Sequence, residues 1–193
     1  MLIGFNVFGE KPRIDDKGLC NVAYMATAAY DFMVAMGSST TPAHWLTLLG
    51  PPATGKTMLA KLCRRYFSQH LDCFTDERFD PAKERRIRRC IYMPWVEAVR
   101  MMLEGNYRFL TDMREAWLVI IDDIGTEYQK NRELSTSKLF EVLNAREGLW
   151  TIITANLTVQ QIAEQMDARI ASRLLRGGSV VIDVDAIDYN LRQ

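Results

Sequence analysis

The sequence predicts an α/β three-layer sandwich built on a five-stranded, mainly parallel sheet. Three observations predict it. Short apolar runs alternate with segments of helical spacing along most of the chain. One of those runs, Trp117-Leu118-Val119-Ile120-Ile121, is apolar without a break, as in a parallel strand covered on both faces. Finally, Gly50-Pro51-Pro52-Ala53-Thr54-Gly55-Lys56-Thr57 matches G-x-x-x-x-G-K-[ST], a phosphate-binding loop that needs a strand before it and a helix after it.

Composition sets the frame. A chain of 193 residues can bury a sizeable core, and we read residues 1–193 as a single domain, with 1–43 a lead-in segment and helix and 44–193 the core. The 24 basic residues balance the 24 acidic ones, so no global field draws the molecule to nucleic acid or membrane, and any such contact must come from a local patch. Cys20, Cys63, Cys73 and Cys90 are scattered without a C-x-x-C pair, which reads as free thiols of a reducing compartment. His44 and His70 have no ligand spacing and read as structural or exposed. The most apolar early stretch, residues 19–36, is interrupted by Asn21 and Asp31 and lacks a basic flank. It is neither a signal peptide nor a membrane span, and the chain is expected to stay in the cytoplasm.

The elements follow in order. Leu19, Val22, Ala23, Ala26, Ala29, Tyr30 and Met33 recur at three- and four-residue steps, predicting a helix over 19–36 that ends in the loop 37–42. Residues 44–49 read as the first strand. Met58, Leu59, Leu62 and Tyr66 give residues 57–70 a helical spacing. Lys83, Arg85, Arg86, Arg88 and Arg89 then crowd a short run; with Glu84 inside it, a solvated face is favoured over a nucleic-acid contact. Residues 90–93 are the second strand, and Pro94 suits the first turn of a helix over 94–103. A shorter helix covers 109–116, and the third strand 117–123. Leu139, Val142 and Leu143 mark the inner face of a helix over 134–147, and residues 151–155 form the fourth strand, ending at Asn156. Thr158 and Gln161 form a capping-box signature for a helix through 166, and Asp167 can cap the next, over 168–175. Residues 180–184 are the fifth strand.

The chemistry gathers at the carboxyl ends of these strands, where a sheet of this kind places its ligands. Gly50 and Gly55 let the loop turn tightly, aiming N–H groups at phosphate oxygens, and the following helix adds its positive end. Lys56 supplies a point charge for the β- and γ-phosphates, and the Thr57 hydroxyl a ligand for Mg²⁺. The third strand ends in two carboxylates about 65 residues after the loop. Asp122 is placed to hold Mg²⁺ with Thr57, and Asp123 to orient an attacking water. The bland alternative is a strand that merely ends in acids.

These residues resemble the AAA+ ATPases. The loop, Ile121-Asp122-Asp123-Ile124-Gly125 and Ile153-Thr154-Ala155-Asn156-Leu157 fall in that order, and more narrowly look like the DnaC/IstB group of bacterial and phage helicase loaders and transposition helpers. Asp167-Ala168-Arg169-Ile170-Ala171-Ser172-Arg173-Leu174 is similar to the group's arginine-finger segment, and Asp188-Tyr189 to its usual ending. Phe5, Phe8 and a helix containing Asn21 loosely resemble its lead-in.

The resemblance implies a P-loop NTPase of AAA+ type that binds ATP or ADP with Mg²⁺ and hydrolyses ATP at subunit interfaces. It implies Asn156 as the sensor of the γ-phosphate. It makes Arg173 the finger reaching a neighbour's ATP, with Arg169 one turn earlier on the same face. The partners it implies are a replicative helicase or another replication protein, single-stranded DNA, and further copies of the chain in an ATP-dependent oligomer. Four departures stand out. Ala53 replaces the frequent Gly and is expected to stiffen the loop. Asp123 replaces the commoner Glu, so slow hydrolysis is expected. No full C-terminal helical lid is read after Leu174. Only about forty residues precede the first strand, where loaders carry an extension for the helicase. Three rival readings stay open: a transposition helper, a P-loop kinase of a small molecule or nucleotide, and a nucleotide-binding module that does not hydrolyse.

Overall fold

The computed structural model describes residues 11–38, 41–70, 90–126, 131–176 and 178–184. The basic run at 83–89, Cys73, Phe5, Phe8 and Asp188-Tyr189 lie outside them. Helix α1 spans Val22–Met36, where Asn21 caps the start by accepting from the Tyr24 N–H. It therefore begins later than the periodicity predicts, because Cys20 is engaged in isolated bridges to Ile14 and Val184. Strand β1 (Trp45–Leu49) leads through the loop into α2 (Lys56–Gln69). Strand β2 (Cys90–Pro94) is followed by α3 (Trp95–Leu103) and α4 (Arg108–Glu115). Strand β3 (Leu118–Ile124) precedes α5 (Arg132–Ala145), and β4 (Trp150–Ala155) precedes α6 (Val159–Gln165) and α7 (Ala168–Leu174), before β5 (Val180–Asp183). The capping box at Thr158 and Gln161 is present, as is the Asp167 cap on α7.

All five strands are parallel, in the order β2-β3-β4-β1-β5. Strand β4 thus lies between the strand carrying the phosphate loop and the strand carrying the two acids. Alternate side chains leave each strand on opposite faces. Leu46, Leu48, Leu118, Ile120 and Ile152 pack with α1 and α2, whereas Leu49, Val119, Ile121 and Ile153 pack with the helices α3 to α7. The result is three layers with the sheet in the middle.

The apolar spacing over 57–70 does form a helix, and packing decides which of its faces is buried. The buried side of α2 is Lys56, Leu59, Ala60, Cys63 and Phe67, while Met58 is 50% exposed and Leu62 and Tyr66 are only partly covered. Both sets have helical spacing. Packing selects the stripe in line with Lys56, whose head must enter the loop. Cys20, Cys63 and Cys90 are free thiols, and burial pushes those of Cys63 and Cys90 up to about 12.

Candidate functional site

The loop after β1 carries three residues with positive φ: Gly50 at 121°, Ala53 at 57° and Gly55 at 94°. At Gly50 a side chain is excluded outright, since a Cβ there would lie 2.4 Å from the Val184 carbonyl oxygen. Ala53 pays about 1–2 kcal/mol for its left-handed backbone. That strain is what its replacement of Gly means here. Pro51 and Pro52 stay exposed, while the Thr54 hydroxyl donates to the Pro51 carbonyl at 3.1 Å and is buried. Lys56 is the first residue of α2, so the loop runs straight into a helix start whose leading N–H groups have no partners within the helix.

The Lys56 ammonium folds back onto this loop. It donates to the Gly50 carbonyl at 2.8 Å, the Pro51 carbonyl at 2.6 Å and the Thr54 hydroxyl at 3.2 Å. Burial lowers its pKa to about 8, against the opposing pull of Asp123, Asp122 and Asp183. The cation therefore sits beside neutral oxygens, ready to exchange them for an anion.

Asp122 leaves β3 on the α2 face, and its carboxylate is 3% exposed. Oδ1 accepts from the Thr57 hydroxyl at 3.0 Å and from the Thr154 hydroxyl at 2.6 Å, while Oδ2 accepts from the Tyr92 hydroxyl at 2.5 Å. Asp123 follows in a bulge, where the β3–β4 register shifts between Ile121 and Ile124. Its φ of 62° re-aims the second acid, its N–H donates to Thr154 Oγ1 at 2.8 Å, and its Oδ1 accepts from Asn156 Nδ2 at 2.7 Å. The structure so brings together Lys56 and Thr57 from the start of α2, Asp122 and Asp123 from β3, and Asn156 just after β4. Hard oxygen donors at Thr57 and Asp122, hydrogen-bonded to each other, fit Mg²⁺. The glycine-bearing turn and Lys56 fit phosphate.

No protein-family model matches the chain, and no curated protein matches it by sequence. Solved structures do match. A DnaC helicase loader superposes with a TM-score of 0.59 at 16% identity, over 92% of this chain and 95% of its own. DnaI gives 0.60 at 19% identity, over 84% and 83%. The replication initiator DnaA bound to AMPPCP and single-stranded DNA gives 0.60 at 18%, over 85% of this chain but only 46% of the initiator, so the chain spans about half that protein's length. The chain has the P-loop NTPase fold of the DnaC and DnaA AAA+ domains.

In this fold both arginines lie on α7. Arg169 pairs with the Asp167 carboxylate, its Nη2 2.7 Å from Oδ2, and lies over the Phe140 ring, its Cζ 4.6 Å from the centroid. Arg173 lies near the same ring at 5.9 Å, and its Nη1 donates to Glu147 Oε2 at 2.9 Å. Around it are His44, Trp45, Gly148 and Ser179, which sit at the amino ends of β1, β4 and β5. The phosphate loop is at the other end of β1, about 15 Å away at the usual rise per residue. Arg173 is therefore not part of its own chain's loop site.

Two residues of the candidate site escape a sequence reading. Tyr92 and Thr154 both hold Asp122, from strands with nothing but apolar spacing to mark them. No helix among the described residues is long and apolar enough to cross a membrane.

Proposed function

We propose that residues 1–193 act as one cytoplasmic ATPase unit, an ATP-dependent switch of DNA replication of the helicase-loader kind. The observation that carries it is the meeting of Thr57 with Asp122, and of Asp123 with Asn156, beside the Lys56 loop. Residues 50–57 wrap the phosphates, and Lys56 exchanges its carbonyl partners for phosphate oxygens. Thr57 and Asp122 hold Mg²⁺, which supplies positive charge to the β- and γ-phosphates when bound. Asp123 orients the attacking water and accepts its proton, while Asn156 holds Asp123 and reads the γ-phosphate. Arg173, with Arg169 beside it, serves the site of a neighbouring copy. The distance of Arg173 from its own loop supports that direction. The fold likeness to a DnaC loader over nearly all of both chains supports a replicative helicase, or another replication protein, as partner. The likeness to a single-stranded-DNA-bound initiator supports that nucleic acid as a second contact.

The test is ATP turnover by the purified protein, alone, with single-stranded DNA, and with a purified replicative helicase. Mg²⁺-dependent turnover that either partner changes is the expected result. Stimulation by a transposase alone moves the chain to the transposition helpers. Phosphate delivered to a small acceptor in place of water makes it a kinase, and tight ATP binding without turnover makes it a binding module.

A further inference from the structure

Asp122 is held from the side opposite Thr57, and nothing in the proposed reaction accounts for that hold. Tyr92 lies on β2, the outermost strand beside β3 among the described residues, where the β2–β3 register sets Tyr92 against Ile120 and Pro94 against Asp122. Residues two apart on a strand share a face, so Tyr92 and Asp122 both leave the sheet toward α2. The hydroxyl reaches Asp122 Oδ2 at 2.5 Å. The ring is held from α2 as well. Lys61 Nζ is 5.6 Å and Arg64 Cζ 5.7 Å from its centroid, both within the range of cation–π attraction. Tyr92 thus ties β2, the acid at the tip of β3 and the helix that begins with Lys56 and Thr57.

Consider what remains when Thr57 turns its hydroxyl oxygen to a cation. A lone pair of that oxygen serves the cation while its proton can still go to Oδ1, so Oδ1 is met by the Thr57 and Thr154 hydroxyls and Oδ2 by Tyr92. Thr154 bonds the same oxygen that faced Thr57. Tyr92 is the one donor among these that grips the other oxygen, so it fixes rotation of the carboxylate about its Cβ–Cγ bond.

We propose that Tyr92 is a positioning residue for Mg²⁺: its hydroxyl holds Asp122 Oδ2 so that Oδ1 stays turned to the cation beside Thr57. The inference rests on the nucleotide site proposed above. Partners that orient a metal-ligating carboxylate contribute about 10- to 100-fold to metal affinity.

The experiment compares wild type, Tyr92→Phe and Tyr92→Leu by calorimetric titration with ATP, in chelator and across a Mg²⁺ series, together with Mg²⁺-dependent turnover. Tyr92→Phe keeps the ring between Lys61 and Arg64 and removes only the hydroxyl, so it is expected to fold as wild type. The expected result is unchanged ATP affinity in chelator, a half-saturating Mg²⁺ concentration raised about tenfold, and kcat recovered at saturating Mg²⁺. Tyr92→Leu is expected to shift the Mg²⁺ midpoint at least as far. An unchanged Mg²⁺ midpoint in Tyr92→Phe overturns the proposal. So does an equal loss of ATP binding with and without Mg²⁺, which would assign the hydroxyl to the loop instead. If wild type itself gains nothing from Mg²⁺, the Thr57–Asp122 cation site falls and this role falls with it, an outcome distinct from the other two.

Discussion

Asn156 Nδ2 donates to Asp123 Oδ1 at 2.7 Å, joining the tips of β4 and β3 into one polar unit. Under the proposed function, a change of γ-phosphate occupancy felt by Asn156 would pass directly to the acid proposed to orient the water. Asp123→Asn tests the acid alone. Its amide oxygen can still accept from Asn156, so the geometry persists while the charge is lost. ATP affinity is expected to stay as in wild type, and turnover to fall by about 10²- to 10⁴-fold. Equilibrium binding and steady-state hydrolysis measure the two. Wild-type turnover in this variant would move the role to another acid, with Glu127 the first to try.

Lys56 links nucleotide binding to pH. Its pKa in the free protein is lowered to about 8 by burial, whereas bound phosphate favours the charged form. Below pH 8 the ammonium is already charged, and ATP affinity is expected to be flat. Above it a proton must be taken up on binding, so affinity falls by up to about tenfold per pH unit. Calorimetry at pH 9 in buffers of different ionisation enthalpy should show uptake of nearly one proton. Stability of the free protein moves the other way. Between pH 8 and the ordinary lysine value of 10.5 the unfolded chain binds more protons at this position, so this group's contribution to unfolding free energy rises with pH. An affinity independent of pH from 7 to 9.5 would mean either that Lys56 keeps its ordinary lysine pKa or that it is not the phosphate's cation, and ATP binding by Lys56→Ala separates the two.

At the far end of the sheet Arg146 is fully buried without a carboxylate partner among the described residues. Its guanidinium donates to the carbonyls of Met113 (3.0 Å), Ala116 (2.6 Å), Trp117 (3.3 Å) and Trp150, and to the Thr151 hydroxyl at 3.0 Å. It thereby closes the end of α4 and the starts of β3 and β4 with one planar fork. Arg146→Met leaves these oxygens buried without donors and is expected to cost about 3–5 kcal/mol. Arg146→Lys, which can serve some of them, should cost less. Urea unfolding of the three proteins checks the order. A loss below about 1 kcal/mol for Arg146→Met would mean water replaces the fork.

The loop and the two acids were legible in the sequence because their signals are local. Eight consecutive residues spell the loop, and an unbroken apolar run ending in Asp122-Asp123 spells a buried strand tip. The arrangement of three covered layers followed from the same alternation of elements. Tyr92 and Arg146 were not legible. Tyr92 acts on an acid thirty residues away and Arg146 on carbonyls about thirty residues away as well as on nearby Trp150 and Thr151, and no spacing rule connects positions across a sheet. Arg146 sits at a helix end beside Glu147, a setting that looks solvated until β3 and β4 close over it. The helix α2 was legible from its spacing, but which face it buries was not, because residues 58, 62 and 66 and residues 59, 63 and 67 are equally periodic; the buried set includes Leu59 and lies in line with Lys56.

Arg173 lies at the amino ends of the strands and its own phosphate loop at the carboxyl end of β1, so catalysis by this arginine requires a second copy. Its present partner is no obstacle. Glu147 is 68% exposed, so the pair itself contributes at most about 1 kcal/mol, but the Arg173 side chain is only 18% exposed and must also leave its cover to reach a neighbour. A finger adds about 10³- to 10⁵-fold to turnover in phosphate-loop enzymes, through charge that develops only as the phosphoryl group transfers. Arg173→Ala is therefore expected to keep monomer ATP affinity and lose hydrolysis. Lys56→Ala should fold and lose ATP binding. Mixing the two decides the mechanism. Lys56→Ala has an empty loop and an intact finger, while Arg173→Ala has an intact loop and no finger. In a mixed assembly one chain's Arg173 meets the other's loaded site, and partial activity returns. Light scattering with ATP establishes that the two variants associate. Should the mixture then stay inactive, Arg173 serves no neighbour. An ATPase switch working across copies would give way to one working within a chain, with the charge for transfer supplied by Lys56 and Mg²⁺ without a finger.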